Sequence, residues 1–128
     1  MIIVTAAIIR DSENRILITQ RKKKSHNALK WEFPGGTLEP GESPEDCIIR
    51  EIKEELNINI GVLDIFKAIY HKYKEKTILL LVYECEYLSG TLSKIECEDA
   101  KWIEPCEFSN FDFAEADLPA VKKIISKK

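Results

Sequence analysis

The sequence predicts one mixed α/β domain over residues 1–128, an α+β arrangement in which strands and helices share a core. Strand-like runs rich in β-branched residues open the chain and recur in its second half, and an amphipathic helical pattern lies between them. With 128 residues and a mass of 14.7 kDa, the chain is long enough for one hydrophobic core. Because no repeat, linker or low-complexity tract interrupts it, a single domain is the simplest interpretation.

The first part of the chain is predicted to begin with a β-hairpin. Residues 2–10 form a continuous apolar run suited to a buried strand, and residues 15–20 alternate well enough to be the returning strand. The turn between them is predicted at residues 11–14. Residues 21–30 are polar and irregular, which indicates a loop at the rim of the molecule. Residues 31–36 then lead into a helix.

The helix has a clear predicted start and a buried stripe. Ser43 can cap the free N–H groups of the first turn, and Pro44 suits the first helical position. Apolar residues then recur at helical spacing and predict the buried face: Ile48, Ile49, Ile52 and Leu56.

The second half of the chain is predicted to complete the sheet and add a closing helix. The expected elements are strands over 60–73 and 76–87 joined by a turn at 72–75, a turn at 88–91, a short strand ending the segment 95–103, a loop with a helical turn at 105–113, and an amphipathic helix from Leu118.

Charge and cysteine usage exclude several classes of protein. A net charge of −3 and a pI near 5.5 argue against nucleic-acid binding as the main function. The N-terminal apolar run lacks a basic flank and meets charged residues too early for a membrane span, so we expect a cytoplasmic protein. The cysteines form no C-x-x-C pair and are predicted to be buried free thiols: Cys47, Cys85, Cys97 and Cys106.

Three carboxylates on the predicted helix indicate a metal site. Glu51, Glu54 and Glu55 stand at positions i, i+3 and i+4, so they share one helix face. Carboxylates this close repel one another unless a positive charge lies among them. Arg50 neutralises part of that charge, and a hard cation such as Mg²⁺ would neutralise more. Glu42 in the preceding loop can approach the same place. The alternative is an ordinary solvated acidic face.

The spacing around these carboxylates closely resembles the Nudix box. The stretch reads G-x5-E-x7-R-E-(apolar)-x-E-E-x-N-(apolar). It departs at Asn57, where the family normally has the glycine that follows the helix in left-handed conformation, and asparagine is the next most tolerant residue there. The other fixed positions match: Gly36, Glu42, Arg50, Glu51, Ile52, Glu54, Glu55 and Ile58.

Flanking segments are similar to the MutT-type branch of that family. They are Arg21 with residues 25–27, the W-E-F-P-G-G string at 31–36, and the F-A-E-A-D-L-P string at 113–119. The resemblance implies the Nudix fold, a mixed β-sheet sandwiched between α-helices. It also implies a Mg²⁺-dependent nucleoside triphosphate pyrophosphohydrolase that produces a monophosphate and diphosphate. The implied substrates are oxidised purine nucleotides such as 8-oxo-dGTP, removed to clean the nucleotide pool, or CTP, dCTP and 5-modified cytosine nucleotides.

The resemblance also assigns roles around the metal. Glu51, Glu54 and Glu55 match the ligand positions of the box, and the carbonyl of Gly35 matches the backbone ligand, with Mg²⁺ or alternatively Mn²⁺ as the ion. Arg50 would hold Glu51 or a neighbouring carboxylate in place. Glu42 and Gly36 are expected to support this arrangement.

The remaining site residues each have two interpretations. The general base is left open between Glu51 and Glu96, with Glu98 and Asp99 as competitors and an acidic solvated turn as the alternative. Four further residues are candidates for the substrate side: Arg21 as a phosphate contact or part of the solvated run at 21–24, His26 as a surface or substrate-rim residue or a general base, Phe33 stacking on the base or packing in the core, and Asp117 reading the base or capping the last helix.

Asp117 bears on the choice of base. An ionised aspartate only accepts hydrogen bonds, which suits the exocyclic amine of cytosine, whereas the branch usually has asparagine there. We therefore expect activity on cytosine nucleotides alongside or above oxidised guanine.

Two other classes remain open at the level of sequence. One is another Nudix activity, on nucleotide sugars, dinucleoside polyphosphates or coenzymes, although no proline lies between Pro44 and Pro105 and Tyr73 comes slightly early for the tyrosine of such branches. The other is a non-catalytic nucleotide-sensing module, which would usually lose box carboxylates. The expected partner is a small-molecule nucleotide, with neither nucleic acid nor membrane, and the protein is expected to be a monomer or homodimer.

Overall fold

Two helices cover opposite faces of a mixed sheet in the computed structural model, which describes residues 1–126. The helices are α1 (Pro44–Leu56) and α2 (Leu118–Ser126), and short 3₁₀ turns lie at Pro105–Asn110 and Glu115–Asp117. The strands are β1 (Ile2–Arg10), β2 (Ile16–Gln20), β3 (Trp31–Glu32), β4 (Gly35–Thr37), β5 (Ile58–Lys72), β6 (Thr77–Gly90) and β7 (Asp99–Ile103).

The sheet is built around the apolar strand β1. Its main order is β3-β2-β1-β6-β5, with β4 paired to β1 and β7 paired to β2. β1 and β6 run parallel, and the other pairs are antiparallel. Residues 5–9 are buried, which agrees with the continuous apolar run because a central strand is covered on both faces. This confirms the predicted mixed fold.

Helix α1 starts and ends where local chemistry predicts. The Ser43 side chain accepts a hydrogen bond from the Asp46 N–H at 3.1 Å, and Asn57 takes the left-handed conformation with φ 59°. One stripe residue is wrong: Ile49 is 40% exposed, and Cys47 is buried in its place. Cys47 faces strand β4, where its Sγ lies 3.6 Å from the Thr37 carbonyl oxygen.

The strand predictions for the second half are confirmed with one correction. The turn expected at 88–91 is wrong, because β6 continues to Gly90 and its Ser89 pairs with Asn59 of β5. β5 begins at Ile58, directly after the helix, so its first residues need this extension of β6 as a pairing partner. Residues 31–37 contain the two short strands β3 and β4, which sequence patterning did not resolve.

The cysteines are only partly buried as predicted. Cys47 and Cys85 are buried, whereas Cys97 is half-buried and Cys106 is exposed. Cys106 lies on the surface, in the 3₁₀ turn at Pro105–Asn110. None of the helices within residues 1–126 is long and apolar enough to cross a membrane.

Candidate active site

Two adjacent glycines in β4, Gly35 and Gly36, allow this strand to lie close to its neighbours in the candidate site. A Cβ atom at Gly35 would lie 2.0 Å from the Thr5 carbonyl oxygen, so β4 can approach β1 only without a side chain there. A Cβ at Gly36 would lie 2.2 Å from Oε1 of Glu51. The Glu51 carboxylate is therefore packed directly against the backbone of Gly36, which brings helix α1 and strand β4 together.

Arg50, in the middle of α1, binds carboxylates of this helix and of the loop that precedes it. Its Nη2 and Nε donate to the two oxygens of Glu42 at 2.7 and 3.0 Å. Its Nη1 donates to Glu51 at 2.9 Å and to Glu54 at 3.2 Å. The hydrogen bonds from Arg50, with one from the Glu39 N–H, hold the pKa of Glu42 down to about 2. The structure thus brings Arg50 and Glu42 together with Glu51 and Glu54.

Glu55 lies in a partly buried place with several negative charges around it. Burial raises its pKa to about 9, and a hydrogen bond with Glu51 and the charges of Glu51, Glu32 and Glu96 add to the rise. A site with this concentration of negative charge favours a bound cation.

The donors fit a hard divalent cation, although they are not arranged around one point. Within residues 1–126 no group of three or more His, Cys, Asp or Glu side chains is clustered as a metal site. Arg50 forms ion pairs with Glu51 and Glu54, at 2.9 and 3.2 Å. Glu55 instead lines a pocket together with Gly35. Carboxylate and carbonyl oxygens are the ligands that Mg²⁺ and similar ions prefer, so the donor set itself is suitable.

Two pockets meet at this place and share Arg21, Glu32 and Gly35 in their linings. The first has a volume of about 200 Å³ and is lined on its far side by Asp117 and Phe33. The second, of about 180 Å³, is lined by Glu55, Glu96 and Lys22. The first pocket thus combines apolar groups with the Asp117 carboxyl, and the second contains one helix carboxylate, Glu55, beside Glu96.

Arg21 is tied to its surroundings through Glu32, a residue not singled out from sequence. Its Nη1 donates to both oxygens of Glu32, at 3.1 and 3.3 Å, and its Nε donates to the His26 carbonyl at 2.5 Å. In the sequence Glu32 lies between two buried aromatic residues, Trp31 and Phe33. Because successive side chains along an extended segment point to opposite faces, this position could have indicated that Glu32 faces away from them. The His26 side chain is exposed at the rim of the first pocket.

Asp117 is buried and faces the first pocket. It is 5% exposed, and its Oδ2 accepts a hydrogen bond from the Phe33 N–H at 3.0 Å. This hydrogen bond joins residues that are far apart in the sequence. It is not the cap of the last helix that was the alternative interpretation of Asp117. Burial raises the pKa of Asp117 well above its usual value, and the charge of Glu32 acts in the same direction.

The position of Phe33 corrects the stacking prediction. Its ring is 2% exposed and packs against Phe108 and Phe113, with ring centroids 6.1 and 5.7 Å away. An aromatic ring enclosed in this way is part of the core, so Phe33 serves the pocket through its backbone N–H.

Glu96 is the member of the 96–99 acidic segment that reaches the site. It is exposed and lines the second pocket with Glu55. Asp99 instead pairs with Lys94 at 3.3 Å, and the Glu98 backbone N–H donates to the Gln20 carbonyl. The geometry therefore keeps Glu51 and Glu96 as the candidates for the general base.

Tyr73 is the second residue whose position sequence patterning missed. Its hydroxyl accepts hydrogen bonds from the Asn27 side chain and from the Ala116 N–H, both at 3.3 Å. It therefore joins the loop at 21–30 to the segment that carries Asp117. The position of Tyr73 in the hairpin turn after β5 is the sequence feature that could have indicated this contact.

Comparison with known proteins identifies the class of this chain. The NUDIX domain family matches residues 2–124, so the chain belongs to the Nudix family, whose hydrolases generally use a divalent metal ion. Two curated relatives from Escherichia coli (strain K12) cover nearly the whole chain. An 8-oxo-dGTP diphosphatase is 31% identical over 94% of this chain and 94% of the relative. A CTP pyrophosphohydrolase is 33% identical over 98% of this chain and 93% of the relative.

A solved structure gives the same result for the fold. The MutT protein from Methanosarcina mazei Go1 superposes with a TM-score of 0.85 at 26% identity, covering 99% of this chain and 96% of that one. The chain is thus a Nudix hydrolase with the MutT-like fold.

The contact between Gly36 and Glu51 gives a first prediction. Gly36→Ala is expected to push the Glu51 carboxylate away from β4 and to lower kcat by about tenfold, because small displacements of catalytic groups are costly. The clash involves the end of a flexible side chain, so the melting temperature should change little. Gly61→Ala is the matched control, since its Cβ would meet no atom closer than 3.4 Å. Equal kcat values for both variants would contradict the role of this contact.

Proposed function

We propose that residues 1–128 form one catalytic domain that hydrolyses nucleoside triphosphates to a monophosphate and diphosphate with Mg²⁺. The observation that carries the proposal is the meeting of two pockets, one bounded by Glu55 and Glu96 and the other by the buried Asp117. The pocket bounded by Glu55 and Glu96 suits a metal-bound polyphosphate, and the pocket bounded by Asp117 suits a nucleoside. Location in the cytoplasm, a monomeric or homodimeric state and the lack of a nucleic-acid partner are part of the same proposal.

The relatives support two substrate classes. The names of the two Escherichia coli relatives specify 8-oxo-dGTP and CTP, and both cover more than nine-tenths of this chain. We propose that this enzyme acts on cytosine nucleotides, alongside or above oxidised guanine nucleotides, because the ionised carboxylate of Asp117 can accept a hydrogen bond from the exocyclic amine of cytosine.

The residues of the site divide the work of the reaction. Bound Mg²⁺ would supply charge withdrawal from the phosphates and a lowered pKa of water. Glu51, Glu54, Glu55 and the Gly35 carbonyl would hold the ion. Arg50 fixes Glu51 and Glu54 through its hydrogen bonds, and Glu42 fixes Arg50 in turn. Glu51 or Glu96 accepts the proton of the attacking water, which is general base catalysis by a carboxylate.

A product analysis tests the proposed function directly. The purified protein is incubated with Mg²⁺ and CTP, dCTP, 8-oxo-dGTP, a nucleotide sugar or a dinucleoside polyphosphate, and the products are separated. Release of a nucleoside monophosphate and pyrophosphate from a triphosphate is the expected result. Cleavage of only the sugar or dinucleoside compounds would establish another Nudix activity, and the absence of any cleavage would leave a non-catalytic module.

The position of the cut gives a second prediction. Water is expected to attack the β-phosphorus, so hydrolysis in ¹⁸O-labelled water should place the label in pyrophosphate. Mass spectrometry of both products measures this. Label confined to the nucleoside monophosphate would show attack at the α-phosphorus and would require a different position of the substrate relative to Glu51 and Glu55.

A further inference from the structure

The second pocket, which is lined by Glu55 and Glu96, also contains two cationic residues, Arg21 and Lys22. Arg21 is engaged by protein groups, because its Nη1 and Nε are bonded to Glu32 and to the His26 carbonyl. The carboxylate that neutralises Arg21 belongs to the same lining. The pair of Arg21 and Glu32 therefore adds little net positive charge to a pocket that must receive phosphates.

Lys22 differs from Arg21 in that, among the described residues, its side chain forms no ion pair. The Lys22 carbonyl accepts hydrogen bonds from the Ser25 hydroxyl at 2.7 Å and from the Ser25 N–H at 3.2 Å. Within residues 1–126 its ammonium group has no carboxylate within ion-pairing distance. The backbone thus fixes where the side chain starts, and the ammonium group remains available for a ligand.

Comparison with the neighbouring lysines distinguishes the effect of the position of Lys22 from the effect of its charge. Lys23 and Lys24 belong to the same basic run and are exposed like Lys22. Neither lines the pocket, whereas Lys22 does so together with Gly35, Glu55 and Glu96. A general attraction of anions would involve the three lysines alike, but a contact inside the pocket is open to Lys22.

We propose that Lys22 binds the terminal phosphate of the substrate and makes the enzyme selective for triphosphates over diphosphates. This inference rests on the proposed function, since it assigns the polyphosphate to the pocket of Glu55 and Gly35. An ammonium group is a compact point charge that suits a phosphate whose orientation varies. A diphosphate lacks the group that Lys22 contacts, so it gains nothing from this residue.

A binding measurement tests the contact without depending on turnover. Inorganic tripolyphosphate with Mg²⁺ is titrated calorimetrically into wild-type protein, Lys22→Met, Lys22→Arg, Lys23→Met and Lys24→Met, at an ionic strength of about 0.15 M so that long-range attraction is screened. Lys22→Met is expected to raise Kd by about tenfold, as for the loss of one charge-assisted contact. Lys22→Arg should restore most of the affinity, and the other two variants should bind like wild type.

Kinetics test the selectivity. Lys22→Met should raise KM for CTP by about tenfold with little change in kcat, and should leave kcat/KM for CDP unchanged, so that the ratio of the two kcat/KM values falls by about tenfold. Equal losses in the three Lys→Met variants, equal losses for CTP and CDP, or tripolyphosphate binding unaffected by Lys22→Met would each overturn the inference.

The two proposals can fail separately. Hydrolysis of CTP by a wild-type enzyme whose selectivity is unaffected by Lys22→Met would refute the role of Lys22 and leave the proposed function standing. Tripolyphosphate binding that depends on Lys22, in a protein that cleaves no nucleoside triphosphate, would retain the phosphate contact and refute the proposed function. A wild-type protein that does not bind tripolyphosphate would overturn the inference.

Discussion

Replacing Glu54 with glutamine is expected to lower kcat for a nucleoside triphosphate by roughly a hundredfold to a thousandfold, as for other lost electrostatic catalysts. The substitution keeps the size of the side chain and removes the charge of one proposed metal ligand. The Glu54 side chain is 51% exposed, so little packing is lost. Arg50 retains its bonds to Glu42 and Glu51, and the melting temperature should therefore remain close to that of the wild type.

The control for Glu54→Gln is Glu45→Gln in the first turn of the same helix. Glu45 is exposed and does not line either pocket of the site, so its substitution should leave kcat unchanged. Wild-type enzyme in excess chelator should also lose its activity and regain it with added Mg²⁺. Turnover by Glu54→Gln at the wild-type rate, or by the wild type in chelator, would contradict a metal-dependent hydrolase built on these carboxylates.

Sequence patterning predicted the elements that local physics controls. The cap at Ser43, the left-handed Asn57 and the buried Ile48, Ile52 and Leu56 follow from rules that act within a few residues. The turn expected at 88–91 failed because Ser89 pairs with Asn59, a partner 30 residues away, and that pairing overrides the local turn preference.

The site shows the same division between local and distant relations. The shared face of Glu51, Glu54 and Glu55 is a property of helical spacing and could be predicted. The bond from the Phe33 N–H to Asp117 joins residues separated by 84 positions, so spacing could not predict it. The prediction that Phe33 stacks on the base failed for the same reason, because the enclosure of its ring depends on aromatic residues near the C-terminus.

The choice of base is the remaining property that a single substitution can change strongly. Asp117 has one oxygen occupied by the Phe33 N–H and lines the first pocket. When ionised it can only accept, which suits the exocyclic amine of cytosine. When neutral it can also donate, which suits the carbonyl of a guanine edge. Burial and the nearby charge of Glu32 raise its pKa, while the charge of Arg21 opposes the rise, so the neutral form persists to higher pH than usual.

Asp117→Asn fixes this position in a neutral form that both donates and accepts. We expect the variant to lower the ratio of kcat/KM for CTP over 8-oxo-dGTP by about tenfold to a hundredfold at the alkaline end of the active range, since one well-placed pair of hydrogen bonds discriminates by that amount. In the wild type the ratio should rise with pH as Asp117 ionises, and in the variant this rise should be absent. Steady-state kinetics on both substrates across pH measure the two effects.

Asp112→Asn is the matched control, because Asp112 is an exposed aspartate of the same segment whose carboxylate pairs with Lys30 outside the pockets. It should leave both the ratio and its pH dependence as in the wild type. Since Asn and neutral Asp differ little in shape, a change confined to Asp117→Asn would reflect the charge and the donor at this position rather than a disturbed fold. A ratio that is the same in wild type and Asp117→Asn at every pH would show that Asp117 supports the Phe33 backbone and does not read the base.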